Sequence, residues 1–478
     1  MFGQVSIPWW LFLLLTALAL LAVLDRLFVP GVRWFWRRKV NRVLDEIGAR
    51  LSIDIRPFQL TKRQVLIDRL VNDPLVLRAL NQASRETFTP RELLEAEVQA
   101  YAREIVPSFN AYLYFRLGYW IAKKIARLLY RVRAGRVDNE RLGTVDPDST
   151  VVFVMNHRSN MDYILVAFLA AERTTLSYAV GEWARIWPLQ TLIRAMGAFF
   201  VRRNSGNPLY RLVLERYIRM ATREGVCQAV FLEGGLSRDG RMRPPRFGLI
   251  DYMLRGFDHE RDRDVVFIPV GLNYDRVLED RSLLRSLDPE ARKRSLFFIL
   301  KTTLGFILHN LGLMAVKKWR RFGYACVNFG DPFSMREYCR RENINFSRLS
   351  LSERHVEVER LCRTLAAGTQ AVIPALPVAL VSAVMLENRS RPRTPLEIKA
   401  RTLALVERLE EKGAQVFRPY RGLEVALEEG LDMLRLRKLV RVEDGLVLAD
   451  PAMTGVLTYY ANSIGHWSAP PAPQPGTP

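Results

Sequence analysis

His157 and Asp162 stand at the junction of two apolar runs, in the stretch STVVFVMNHRSNMDYILVAFLAA from Ser149 to Ala171. An imidazole beside a carboxylate can act as a general base. The acid accepts from one ring nitrogen, which fixes the tautomer and leaves the other nitrogen basic. Five residues along a single helix would place the two side chains on different faces. A strand ending near Asn156, a turn, and a helix capped by Ser159 or Asn160 would instead bring them together. The plainer reading is that Asp162, in a first helical turn, answers the helix dipole.

Three more stretches supply groups that such a base would need. GAFFVRRNSGNPLY sets Arg202 and Arg203 after a β-like run and continues to Tyr210. FLEGGLSRDGR places Glu233, Ser237, Arg238 and Arg241 around three glycines, Gly234 among them. VFIPVGLNYDRV carries Pro269. Glycines let backbone amides approach a ligand, and arginines offer bidentate forks to phosphate. Two arginine clusters at strand ends therefore suggest a phosphate pocket; a solvated basic rim is the alternative. A Gly-Lys-Ser/Thr phosphate loop and carboxylate pairs are both lacking, which argues against nucleotide hydrolysis. Cys227, Cys326, Cys339 and Cys362 are scattered. They read as buried thiols of a reducing compartment, with no metal site.

The elements that must position these groups begin near Thr144, where short β-branched runs alternate with helical stretches. That alternation predicts an α/β domain with a largely parallel, mixed sheet flanked by helices, and functional residues at the carboxyl ends of strands. Upstream, residues 37–132 read as three or four amphipathic helices broken near Pro57, Pro74, Pro90 and Pro107. The last, AYLYFRLGYWIAKKIARLLYRV, has basic residues flanking aromatics and suits a membrane surface. Ile7 to Leu24 is uncharged and about the minimum length of a membrane span. Arginines follow it, so the positive-inside rule places the rest of the chain in the cytoplasm, at the cell membrane. An interfacial or buried helix is the alternative. Ser295 to Arg321 is a second apolar segment, interrupted by Lys301, His309 and Asn310. It reads as a buried or surface-lying helix rather than a second span. Ala371 to Leu386 reads as core, and PLEIKARTLALVERLEEKGAQV as an amphipathic helix stopped by Gly413. The expected divisions are an anchor over 1–28, a helical region over 29–140, the α/β domain over 141–340, a mostly helical region over 341–467 and a disordered Pro-rich tail over 468–478.

The net charge is +21, from 71 Lys and Arg against 50 Asp and Glu. Such a balance calls for polyanionic partners. The cations are spread along the chain and no nucleic-acid module accompanies them, so phosphorylated substrates or anionic lipids fit better than nucleic acid.

The four blocks, NHRSNMDY, GAFFVRR with its later LY, FLEGGLSRDGR and VFIPVGLNYDRV, resemble in order and spacing the glycerol-3-phosphate acyltransferase family. The broader group includes the dihydroxyacetone-phosphate and lysophosphatidic acid acyltransferases. The resemblance covers roughly residues 100–440. It implies His157 as base and Asp162 as its partner. It implies Arg202, Arg203, Tyr210, Glu233, Gly234, Ser237, Arg238 and Arg241 around a phosphorylated acceptor, and Pro269 near the acyl donor. Acyl-CoA or acyl carrier protein would be a co-substrate, with no cofactor and no metal. Membrane lipids would be further partners. The acceptor stays open between glycerol 3-phosphate, which the form of the blocks favours, and lysophosphatidate. A rival of another class is a basic lipid-binding membrane scaffold, which would explain the charge but not the clustered His, Asp, Glu and Arg.

Overall fold

Prolines set where the first helices begin and end. In the computed structural model these are α1 (Arg63–Val71), α2 (Pro74–Thr87), α3 (Arg91–Ile105) and α4 (Tyr119–Leu129). Pro74 occupies the first position of α2, where no N–H is needed, and the Asp73 carboxylate accepts from Leu75 N–H at 2.9 Å. The structure describes residues 61–110, 114, 118–135, 143–170, 176–180, 189–202, 205–288 and 321–468. Arg203, the apolar stretch from Ile7, most of the Ser295 to Arg321 segment and the tail beyond Ser468 lie outside the described residues.

Among the described residues eight strands make one sheet: β1 (Arg131–Ala134), β2 (Thr150–Met155), β3 (Ser177–Val180), β4 (Phe199–Phe200), β5 (Gln228–Phe231), β6 (Val265–Tyr274), β7 (Tyr324–Phe329) and β8 (Phe333–Ser334). Their order is β1-β7-β6-β2-β5-β3-β4, with β8 on the edge of β6. The β6–β7 and β6–β8 pairs are antiparallel and all others parallel. The fold is thus α/β with a mixed, largely parallel sheet. Interleaved helices are α5 (Met161–Ala170), α6 (Leu189–Ala195), α7 (Pro208–Arg223), α8 (Gly248–Leu254) and α9 (Asp280–Arg285). Side chains of α1–α3, α7 and α8 cover one face of the sheet, with Leu70, Val76, Val98, Val213, Ile250, Val152 and Phe267 in one core.

The β-like runs STVVFVMNH, GAFFVRR, CQAVFLEGG, DVVFIPVGLNY and YACVNFG each form a strand, although GAFFVRR yields only Phe199–Phe200. Each of β1, β3 and β8 is too short to show in a periodicity. Pro269 sits within central β6, where proline ordinarily has no place because it cannot donate to a ladder. The gap explains it. β8 pairs with Val266 and Phe267, and β7 pairs from Val270 onward, so the missing N–H falls between two partners.

The chain then adds α10 (Met335–Glu342), α11 (Leu351–Ala371), α12 (Pro377–Glu387), α13 (Pro395–Glu411) and α14 (Leu423–Leu436), the hairpin β9 (Val440–Glu443) with β10 (Leu446–Ala449), and α15 (Thr454–Asn462). The hairpin interrupts the helices of this mostly helical region. Its turn is Asp444–Gly445, both at positive φ, the Asp-Gly signature of tight hairpins. α12 is the core segment the sequence implied. Val378, Leu380, Val381, Val384 and Met385 are buried among residues of α13, α14 and α15, each such side chain contributing ~1.5–3 kcal/mol. The same core runs on into Val270, Leu272 and Tyr274 of β6, so the C-terminal helices and the sheet share one interior. Among the described residues no helix is long and apolar enough to cross a membrane.

Candidate active site

β2 ends at Met155, and the next two residues are pinned at once. The Asn156 amide donates to Leu272 O at 2.9 Å and accepts from Leu272 N–H at 2.7 Å, which ties the strand end to β6. His157 N–H donates to Glu233 Oε1 at 2.7 Å, which ties it to the end of β5. The turn that follows brings His157 Nδ1 to 2.8 Å from Asp162 Oδ2. Ser159 Oγ accepts from Met161 N–H at 3.1 Å and so starts α5. The Asp162 carboxylate turns back from the first turn rather than facing the helix ahead of it.

Asp162 is wholly buried. Its Oδ2 also accepts from Arg158 N–H at 2.7 Å and Ser159 N–H at 3.1 Å, and its Oδ1 from Tyr274 OH at 2.6 Å. Four donors, three on Oδ2 and one on Oδ1, replace the water this buried carboxylate has lost and hold it in position. With Nδ1 as the donor to Asp162, Nε2 is the nitrogen left to take a proton. The imidazole stacks on Phe231, centroids 4.0 Å apart at 25°, and meets the edge of Tyr163 at 5.4 Å. Ring, tautomer and backbone are therefore fixed from three sides.

Glu233 is buried, and both of its oxygens are taken by backbone: Oε1 by His157 N–H, Oε2 by Arg243 N–H at 2.8 Å. Burial raises its carboxyl from an ordinary 4.5 to about 7, with the backbone donors and Arg158 pulling the other way. Ser237 N–H donates to His157 O at 2.9 Å, and its hydroxyl donates to Arg241 O at 2.6 Å while accepting from Gly240 N–H at 3.0 Å. Gly234 is at φ +61, and a Cβ there would meet Arg246 Cδ at 2.7 Å. This loop holds Arg238, Arg241, Arg243 and Arg246 beside the His157 backbone. None of these four guanidinium groups has an ion-pair partner among the described residues.

Arg202 is placed differently. Its Nε and Nη2 bond Glu104, the latter at 2.6 Å, and its guanidinium lies 5.2 Å from the Tyr101 ring and 5.1 Å from that of Tyr210. The Tyr210 hydroxyl accepts from Arg202 N–H at 2.9 Å. The Glu104 carboxylate holds the Arg202 guanidinium above its ordinary range. Pro269 is buried in mid-strand, its carbonyl accepting from Gly330 N–H at 2.8 Å.

Sequence reading missed Arg158, Tyr274, Glu279 and Tyr459. Arg158 is buried, with Nη1 donating to Gly240 O and its guanidinium 4.7 Å from the Tyr459 ring of α15. Glu279 accepts from Ser159 Oγ at 2.8 Å and from Asn160 Nδ2 at 3.0 Å, and burial raises its carboxyl. Two of the four lay inside quoted blocks: Arg158 in NHRSNMDY and Tyr274 in VFIPVGLNYDRV. Among the described residues no group of three His, Cys, Asp or Glu could hold a metal ion.

A family model described as Acyltransferase matches residues 136–273, and one described as Glycerol-3-phosphate acyltransferase C-terminal region matches residues 310–473. The glycerol-3-phosphate acyltransferase of Pseudomonas aeruginosa (strain UCBPP-PA14) is 30% identical over 453 residues, 91% of this chain and 52% of the relative. That of Pseudomonas fluorescens (strain SBW25) is 30% identical over 458 residues, with the same two shares. The chain spans about half the length of the curated relatives it matches. A solved 1-acyl-sn-glycerophosphate (LPA) acyltransferase from Thermotoga maritima aligns with 64% of this chain and 96% of its own, at 15% identity and a TM-score of 0.30, a likeness too weak to bear on fold or activity. With both family regions matched in order, the chain belongs to the glycerol-3-phosphate acyltransferase family, carrying its acyltransferase domain and its C-terminal region.

Proposed function

We propose that this protein transfers a fatty acyl group from acyl-CoA or acyl carrier protein to the sn-1 hydroxyl of glycerol 3-phosphate, giving lysophosphatidate, the first step of phospholipid synthesis. The observation that carries the reading is the 2.8 Å contact between His157 Nδ1 and Asp162 Oδ2 at the carboxyl end of β2. His157 Nε2 takes the proton of the acceptor hydroxyl as that oxygen attacks the thioester carbonyl. Asp162 stabilises the imidazolium. Collapse of the tetrahedral intermediate breaks the carbon–sulfur bond, and the imidazolium returns the proton to the thiolate. The acyl group thus moves directly from sulfur to oxygen, with no enzyme-bound acyl group.

Arg238 and Arg241 are assigned to the acceptor phosphate, because their guanidinium groups are exposed and have no ion-pair partner among the described residues, on the loop that Ser237 and Glu233 hold against His157. Arg203 belongs to the same acceptor side in this reading, whereas Arg202, neutralised by Glu104 and held between the Tyr101 and Tyr210 rings, braces that side rather than gripping the phosphate. Pro269 contributes through packing in β6. The uncharged Ile7 to Leu24 stretch anchors the chain in the cell membrane and leaves the catalytic domain on the cytoplasmic face.

The test is acyl transfer by purified full-length protein, with glycerol 3-phosphate and lysophosphatidate compared as acceptors and acyl-CoA and acyl carrier protein as donors. The expected result is turnover with glycerol 3-phosphate that falls at least about a hundredfold in His157→Ala. Turnover with lysophosphatidate alone would reassign the acceptor. Retention of more than about a tenth of the rate in His157→Ala would remove the base.

A further inference from the structure

A second basic recess lies at the far edge of the sheet from β4. It is a pocket of about 630 Å³ between the end of α4, β1, the start of β7 and the loop before α14. Arg127, Arg131, Arg133, Arg321 and Arg421 line it, with Tyr420 at the rim. Arg131 is neutralised by Glu429. Arg133, Arg321 and Arg421 are exposed and have no ion-pair partner among the described residues. Among the described residues no carboxylate lines the pocket, so cationic walls converge on one concave volume and focus the field there. The reaction makes no use of these residues. The floor is apolar and fixed: Tyr130 is buried, and its ring lies 5.3 Å from that of Tyr274.

We propose that this pocket binds the phosphate of an anionic membrane phospholipid. Guanidinium forks match phosphate oxygens bidentately. Three features beside the pocket select a lipid over a free phosphate. Trp120 is 56% exposed and Leu128 46% exposed on α4, and Arg127 of the same helix enters the lining. Lys124 Nζ lies 5.8 Å from the centre of the Trp120 ring, so one face of α4 mixes aromatic, aliphatic and cationic groups, the composition of a helix at a membrane surface. Tyr420 is fully exposed at the pocket rim, an amphipathic ring where headgroups lie. Arg321 closes the sequence KKWRR, which follows the apolar stretch from Ser295. The site does not depend on the transfer reaction.

Full-length protein in neutral detergent tests this by thermal unfolding with three additions: dihexanoyl phosphatidylglycerol, dihexanoyl phosphatidylcholine and glycerol 3-phosphate. The variant is Arg133→Gln/Arg321→Gln/Arg421→Gln, whose positions are exposed enough to leave the fold intact. In the wild type, phosphatidylglycerol raises the midpoint more than phosphatidylcholine does. The triple variant needs at least about tenfold more phosphatidylglycerol for the same rise, keeps its response to glycerol 3-phosphate, and keeps its turnover at saturating substrates. Arg238→Ala keeps the lipid response. An unchanged lipid response in the triple variant overturns the proposal. So does loss of the glycerol 3-phosphate response there with the lipid response intact, which would make the ligand a free phosphate. Loss of the lipid response in Arg238→Ala would place the lipid at the catalytic loop instead.

Discussion

The guanidinium of Arg158 lies 4.7 Å from the centre of the Tyr459 ring, and the Tyr459 hydroxyl reaches back to Arg158 O at 3.4 Å across 301 residues of sequence. Arg158 is the neighbour of His157, and Tyr459 belongs to α15 at the end of the described chain. Two further contacts make the same bridge. Gly240, at φ +92, packs so tightly that a Cβ would come within 1.9 Å of Tyr459 O, and Asn462 Nδ2 donates to Asp239 O at 2.9 Å. The C-terminal region is thereby part of the site: it holds both the His157 turn and the loop of Arg238.

Tyr459→Phe is expected to keep the ring over Arg158 and near-normal activity, whereas Tyr459→Leu removes an interaction worth about 2 kcal/mol when desolvated. Steady-state kinetics should show the loss in Tyr459→Leu mainly as a higher Michaelis constant for the acceptor and lower turnover. An equal loss in both variants would assign the effect to the hydroxyl, which donates to Arg158 O, rather than to the ring.

Tyr274→Phe removes one of the four donors to Asp162 and keeps the ring contact with Tyr130. A hydrogen bond to a charged group is worth about 1.5–3 kcal/mol, so turnover should fall about tenfold or more. Both Michaelis constants should stay close to wild type, because Tyr274 positions the acid and touches no substrate in this reading.

Arg238→Ala should raise the Michaelis constant for the phosphorylated acceptor about ten- to a hundredfold, with little change for the acyl donor. Arg238→Lys should restore little, since an ammonium is a point charge. Arg202→Ala should instead lower the unfolding midpoint, because Arg202 is held between two tyrosine rings and Glu104. Equal effects of Arg238→Ala on both substrates would count against the phosphate assignment.

Glu233 gives a pH dependence with a definite sign. Its carboxyl ordinarily titrates at 4.5 and in the fold at about 7. Between those values the folded protein holds the proton that the unfolded chain has lost, so stability falls as pH rises through that window. Glu233→Gln, which cannot titrate, should be less stable at low pH through the lost acceptor but flatter from about 4.5 to 7. Chemical unfolding of both proteins at several pH values measures the difference; parallel curves would show that Glu233 does not titrate in this range.

The sequence by itself determined the alternation of strands and helices, the placement of His157 and Asp162 at a strand-to-helix turn, and the arginines at strand ends. Those features are local. β-branched runs bounded by glycine and proline declare strands, and a Ser at the right place starts a helix at Met161. The family blocks were legible for the same reason, since each is a few contiguous residues. The tertiary structure decided which arginines are available. Arg202 and Arg238 look alike in sequence, but Glu104, from α3, neutralises only the first. It decided that Glu233 spends both oxygens on backbone donors, and that Pro269 fits a central strand because β7 and β8 leave a gap. It also decided that Tyr274 and Tyr459 belong to the site, since contacts across 112 and 301 residues have no periodicity to reveal them. Such contacts depend on where the sheet and the C-terminal helices close on one another, and that closure is a property of the whole core rather than of any one segment.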